Sequence, residues 1–137
     1  MPASQADIEL VRTAFDSFAV SRDQIDDYFG RFFTPDGVVE FVDGFPLPGR
    51  YEGLEGYHRF FDDSYGPYED VHRRLDSIEI EGGKVVALMT VTGREPGENV
   101  ELQVEMGNTY ELEDGRIKHL RVYLGHERAR EAARAGC

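Results

Sequence analysis

Apolar residues recur along this chain with two different spacings, and the change comes near Val71. Ahead of it the spacing is that of a helix. Ile8, Val11, Phe15 and Phe18 follow a start signal of Ser4 and Asp7 and predict a first helix over about residues 5–19. Ser21 with Gln24 repeats that signal. Ile25, Tyr28, Phe29 and Phe32 then predict a shorter second helix, ended by Thr34-Pro35-Asp36-Gly37. Val38 to Val42 is short and rich in β-formers, so it predicts a strand. The Gly/Pro-rich segment from Asp43 to Gly53 predicts a loop edging a cavity. Leu54, Tyr57, His58 and Phe61 share one face of a third predicted helix, closed by Tyr65-Gly66-Pro67-Tyr68.

From Val71 onward the period is two, and Glu81–Lys84, Arg94–Asn99 and Glu113–Arg116 each carry the glycine of a hairpin connection. Antiparallel strands in a meander result. Within them Val100, Leu102, Val104, Met106, Tyr110 and Leu112 fall on one face, and Asn108 lies in the same row. Burying an amide without partners costs roughly 1–3 kcal/mol. On the pattern alone, Asn108 bonds a buried backbone group or marks a bulge. The chain closes in a short polar helix from His126, with Glu127–Arg130 and Glu131–Arg134 spaced to pair. Helix, helix, strand, helix and then long strands make an α+β plan, with helices gathered on one face of a curved antiparallel sheet.

Composition narrows the function. At 137 residues the chain suits one domain over 1–137, and a 12% share of aromatic residues favours a large apolar interior. A net charge of -12 repels phosphate backbones and anionic lipid, which argues against nucleic acid and membrane surfaces as partners. The one cysteine, Cys137, cannot make an internal disulfide, and neither a membrane span nor a signal peptide is visible, so a cytoplasmic protein is expected. His58 and His126 lack a second ligand at metal-like spacing, the Asp26–Asp27 and Asp62–Asp63 pairs read as solvated helix faces, and the glycines follow no phosphate-binding fingerprint. No metal or cofactor is expected.

The element order, together with FFTPDGVVEF (32–41), YEGLEGYHRFF (51–61), IEIEGGKVV (78–86) and YELEDGRIKHLRVY (110–123), resembles the nuclear transport factor 2-like superfamily, and within it the SnoaL-like domains. The resemblance covers about residues 6–133. It implies a cone-shaped α+β barrel, formed by a curved antiparallel sheet with three N-terminal helices on its concave face. The mouth of such a cone opens into an apolar pocket, and dimers often pair through the outer face of the sheet.

Site residues follow from the same resemblance. In ketosteroid isomerases of this superfamily an acid on the Asn108 strand helps bind the developing oxyanion, a bond an amide can donate without a raised pKa. The isomerase base aligns with Phe41. Asp43, two residues later, could reach the mouth, or could simply make a turn with Gly44. The isomerase tyrosine falls near Ala14 or Phe15, neither a donor. His72 resembles the base of the Asp–His dyads of scytalone dehydratases, but the partner Asp falls on Val20 or Ser21, which leaves a solvent-facing or core-satisfied histidine as the other reading. Limonene epoxide hydrolases have a catalytic Asp where this chain has Gly125. On the last strand, His119, Arg121 and Tyr123 would form a polar patch inside the cone, while Leu120, Val122 and Leu124 would face outward and make a homodimer surface.

The expectation is thus a cofactor-independent isomerase, cyclase or dehydratase for a small apolar or polyketide-like molecule. Asn108 and Tyr123 would be its donors and His72 or Asp43 its base, with ligand contacts from Phe15, Phe18, Phe41, Tyr57, Met106, His119 and Arg121. The alternatives are ligand binding without turnover, or a dimeric adaptor with a vestigial pocket.

Overall fold

The structure, a computed structural model, describes residues 3–17, 22–42 and 49–136. Helices α1 (Gln5–Asp16) and α2 (Arg22–Phe32) lead into β1 (Phe33–Phe41) and β2 (Arg50–Glu52). Then come α3 (Gly53–Tyr65), the strands β3 (Glu69–Glu81), β4 (Lys84–Arg94), β5 (Leu102–Glu113) and β6 (Arg116–Leu124), and α4 (His126–Arg134). The start of α1 is set by Asp7, whose carboxylate accepts the Ser4 N–H at 3.0 Å. Val11 and Ala14 of α1, Ile25, Tyr28, Phe29 and Phe32 of α2, and Tyr57 and Phe60 of α3 are buried. These form the apolar stripes that hold the three helices against one face of the sheet.

The sheet order is β2-β1-β6-β5-β4-β3. The meander from β3 to β6 is antiparallel throughout. Beyond it β1 lies parallel to β6, so the sheet is mixed, and it is open at β2 and β3 rather than closed into a barrel. Two of its hairpins turn on consecutive residues of positive φ, Gly82-Gly83 at 57° and 80° and Asp114-Gly115 at 51° and 78°, the backbone that a tight hairpin turn needs.

Three of the four irregularities in the described ladder matter most for which side chains face the helices. In β1, Phe33 pairs with Ile117 and Val38 with His119, so the strand begins before Thr34-Pro35-Asp36-Gly37 and this segment bulges out of the ladder instead of ending a helix. In β3, Leu75 pairs with Met89 and Ser77 with Leu88, which leaves Asp76 as an extra residue. In β6, Leu112 pairs with Ile117 and Glu111 with His119, which leaves Lys118 extra. Each extra residue reverses the alternation beyond it.

The reversal in β6 corrects the expected outward face. Leu120 and Val122 join Ile117 on the helix-covered face, within the main core, and His119, Arg121 and Tyr123 take the other. Leu120 and Val122 are thus unavailable for the dimer surface drawn from them, and Leu124 is 37% exposed. The outer face is covered differently. Rather than joining the other helices, α4 lies across the back of the sheet, where Ala129 and Ala133, four residues apart, pack with Val86, Leu88 and Tyr123 in a second core. Gly107 permits this approach, because a Cβ there would run into the Cβ of Ala129.

Gly107→Ala should destabilise the protein by about 1–3 kcal/mol through this overlap. A urea titration should show a lower midpoint at unchanged slope.

Candidate functional site

Between the inner face of the sheet and α1 to α3 lies a cavity of about 200 Å³. Phe15 of α1, Tyr28 of α2, Tyr57, Phe60, Ser64 and Tyr65 of α3, and Phe33 and Phe41 of β1 line one side of it. Arg73 of β3, Met89 of β4, Val104, Met106, Asn108 and Tyr110 of β5, and Leu120 and Val122 of β6 line the other. Tyr68 and Leu102, 40% and 43% exposed, mark the end that meets solvent. The aromatic wall is continuous, with Tyr57 5.3 Å from Phe33, 5.1 Å from Phe60 and 6.0 Å from Tyr28 between ring centroids.

Polar groups interrupt this lining at few points. The Tyr28 hydroxyl donates to the Ala14 carbonyl at 2.8 Å. The Asn108 Nδ2 donates to the Tyr110 hydroxyl at 3.1 Å, while its Oδ1 is buried with no partner among the described residues, as is Ser64 Oγ. Asn108 thus does not satisfy buried backbone with its amide. One end is held by a neighbouring phenol and the other is open to a donor. The Arg73 guanidinium lies 4.3 Å over the Phe15 ring, and its Nη2 donates to the Phe15 carbonyl at 3.4 Å.

Burial, the largest cause for each, holds the hydroxyls of Tyr28, Tyr57, Tyr65 and Tyr110 above the ordinary phenol range, although the Arg73 charge pulls all of them down. They stay neutral and can donate. Tyr51, outside this lining, is pushed up to about 12 by burial and by its bond to Asp63. The described lining contains no Asp, Glu or His. This wall can therefore hold an apolar body and polarise an oxygen on it, but supplies no carboxylate or imidazole to take a proton.

Of the residues singled out in the sequence, Asn108, Phe15, Phe41, Tyr57 and Met106 meet at the cavity. Tyr123, His119 and Arg121 do not. They stand on the outer face because of the Lys118 bulge, with His119 Nε2 2.8 Å and Arg121 Nε 3.5 Å from Glu40 Oε1. His72 is exposed and points away, since its neighbours Val71 and Arg73 line the cavity. Asp43 and Phe18 lie outside the described residues. The sequence reading missed Arg73, Tyr110, Tyr28, Tyr65 and Ser64. Arg73 had a legible signal: Val71 and Leu75 flank it at even spacing, in opposite phase to Ile78 and Ile80, and a change of apolar phase within one strand marks a bulge.

Two outcomes follow from this wall. Asn108→Leu removes one bond that is made and one acceptor that has none, so stability in a denaturant titration should move by less than about 1 kcal/mol. In alkaline titration, the buried tyrosines keep their protons above pH 10.0, the ordinary value at which unfolded chains lose them. The unfolded state then binds fewer protons, so stability is full below pH ~10 and falls as pH rises through the raised folded values. Phenolate absorbance from these residues should therefore appear together with loss of near-ultraviolet circular dichroism, not before it.

The comparisons with known proteins agree with this architecture. The SnoaL-like domain family matches residues 11–120. Among solved structures, a candidate SnoaL-like polyketide cyclase from Jannaschia sp. CCS1 superposes with a TM-score of 0.73 at 18% identity, covering 98% of each chain. A protein of ketosteroid isomerase-like fold from Catenulispora acidiphila DSM 44928, in complex with trimethylamine, gives 0.69 at 18% identity over 85% of each chain. TerC, co-crystallised with polyporic acid, gives 0.71 at 16% identity, covering 94% of this chain and 98% of its own. At these identities the structures speak for the fold alone. Among curated proteins none matches the chain significantly. With the family match spanning most of its length and the fold shared with these structures, the chain belongs to the SnoaL-like domain family.

Proposed function

We propose that this protein binds a small, largely apolar molecule in the cavity between the sheet and α1 to α3, and that a hydroxyl or other donor of that molecule bonds the open Oδ1 of Asn108. The observation that carries this reading is the Asn108 side chain itself. It is 5% exposed in an otherwise apolar strand row, with its Nδ2 bonded to Tyr110 and its Oδ1 without a partner among the described residues. A buried polar atom with no partner costs free energy that a ligand group can offset. The apolar, aromatic wall supplies the rest of the affinity. Ligands in two proteins of the same fold, trimethylamine and polyporic acid, are consistent with a binding role.

A second reading, turnover as a cofactor-independent isomerase, cyclase or dehydratase, is favoured by one specific observation. The Tyr110 hydroxyl, which accepts from Asn108 Nδ2 and is held neutral by burial, keeps its own proton to donate in a dry wall, where a hydrogen bond to a developing enolate is strong. Candidate polyketide cyclases of Jannaschia and Sinorhizobium meliloti share the fold. The base in this reading is Asp43, two residues beyond the cavity-lining Phe41. The compartment is the cytoplasm, where one cysteine needs no disulfide partner.

Calorimetry with 2-naphthol tests the binding reading. Wild-type protein should bind it, Asn108→Leu should weaken it by about tenfold, and Val122→Asp, which puts a charge on the cavity wall, should abolish it. Absence of binding to the wild type removes the reading. Turnover is tested with 2-tetralone in D₂O, where NMR should show accelerated exchange of the protons next to the carbonyl, lost in Asp43→Asn. An unaccelerated rate leaves binding alone.

A further inference from the structure

Arg73 is a guanidinium in the wall of an aromatic cavity. We infer that the cavity selects apolar organic anions, with an aromatic or polycyclic body against the rings of α2 and α3 and a carboxylate, enolate or phenolate oxygen against Arg73. This rests on the proposal that the cavity binds a small apolar molecule, and adds the charge of that molecule.

The inference stands on the chemistry of the lining. Arg73 is the one charged side chain among the described lining residues, and no carboxylate shares that wall with it. The tyrosines around it, Tyr28, Tyr57, Tyr65 and Tyr110, are held neutral by burial, so they add donors but no negative charge. Among the described lining residues the charge balance is positive, inside a chain of net charge -12. That chain as a whole repels anions, so a preference for them must arise at the wall itself.

Geometry makes the guanidinium suited to the task. Stacking on Phe15 at 4.3 Å and the 3.4 Å bond to the Phe15 carbonyl fix the plane of the group. Arg73 engages further neighbours as well. A guanidinium has five N–H donors in a rigid fork and is more weakly hydrated than an ammonium, so a fixed one meets a planar acid at low entropic cost. If the wall were meant only for neutral hydrocarbon, the inner position between Val71 and Leu75 would hold a third apolar residue. Ser64 Oγ, buried and without a partner among the described residues, is a further donor that an anion's oxygen can use.

The test compares naphthalene-2-carboxylate with naphthalene-2-carboxamide, which share one apolar body, by calorimetry at pH 7. Wild-type protein should bind the carboxylate at least about tenfold more tightly. Arg73→Gln should erase that preference while leaving carboxamide binding within about threefold. Should Arg73→Gln fail to fold, Arg73→Lys, which keeps the charge but loses the planar fork, should still prefer the carboxylate, by a ratio several-fold smaller than wild type. Equal binding of the two probes to wild-type protein, or an undiminished preference in either variant, overturns the inference and leaves the apolar binding site standing. Failure of both probes to bind the wild type overturns the binding site and the inference together.

Discussion

The alternation of side chains along β3, β5 and β6, and the single extra residues that reset it, determine where everything else in this protein sits. A strand presents successive side chains to opposite faces, so one unpaired residue transfers all that follow to the other side. Lys118 does this in β6 and Asp76 in β3. The cost is a local break in the ladder. The return is that Ile117, Leu120 and Val122 all reach one core, as do Leu75 and Ile78 across the other bulge. Strand β4 pins the register between them, because both of its faces are buried. Val85, Ala87 and Met89 pack inward, and Val86 and Leu88 pack outward under α4. A slip by one residue would exchange two apolar sets of different shape, and nothing in the strand would be left to face water.

The cavity survives within this core because of what surrounds it. Rings of α2, α3 and β1 brace one another at centroid separations of 4.9 to 6.4 Å, and rigid side chains collapse into a void less readily than flexible ones. Lost dispersion contacts along its wall weigh against folding. So do Asn108 Oδ1 and Ser64 Oγ, which have no partner among the described residues, and the placement of a guanidinium in a largely apolar wall. Three kinds of unfavourable group meet in one place that hydrocarbon would fill more stably, and the proposed binding role accounts for them.

The outer face is organised by apolar contact first and charge second. Ala129 and Ala133 are completely buried against the sheet. Arg130 then reaches Glu79 at 3.0 Å and Arg134 reaches Glu81 at 3.1 Å, tying α4 to the edge strand β3. Such partly exposed pairs orient a helix more than they stabilise it. Beside them Asp76, the bulged residue of β3, accepts from the Thr90 hydroxyl at 2.6 Å and from Arg74 at 2.7 Å, and these bonds hold its carboxyl below the usual range. The bulge that redirects β3 thus has its extra side chain fixed on the outside.

Local chemistry written in the sequence determined the elements: the apolar period of each helix, the glycines at the hairpins, the antiparallel meander, and the apolar row that carries Asn108 to the inner face. It also determined that the interior would be aromatic, and Phe15, Phe41, Tyr57 and Met106 were legible as its lining. Tertiary structure decided the phase of the strands beyond each bulge. A bulge is a mismatch between two strands, so a strand read alone shows at most a change of apolar phase and not which phase meets the core; His119, Arg121 and Tyr123 were expected inside and stand outside for that reason, and His72, whose reading stayed open, stands outside as well. Tertiary structure also decided what covers the back of the sheet. The charges of α4 conceal a two-alanine stripe too narrow to announce itself, and it becomes an apolar face only where Gly107 lets the helix come close. Arg73 joined the cavity by the same rule of phase, because the pairing of β3 with β4 turned Val71, Arg73 and Leu75 inward together.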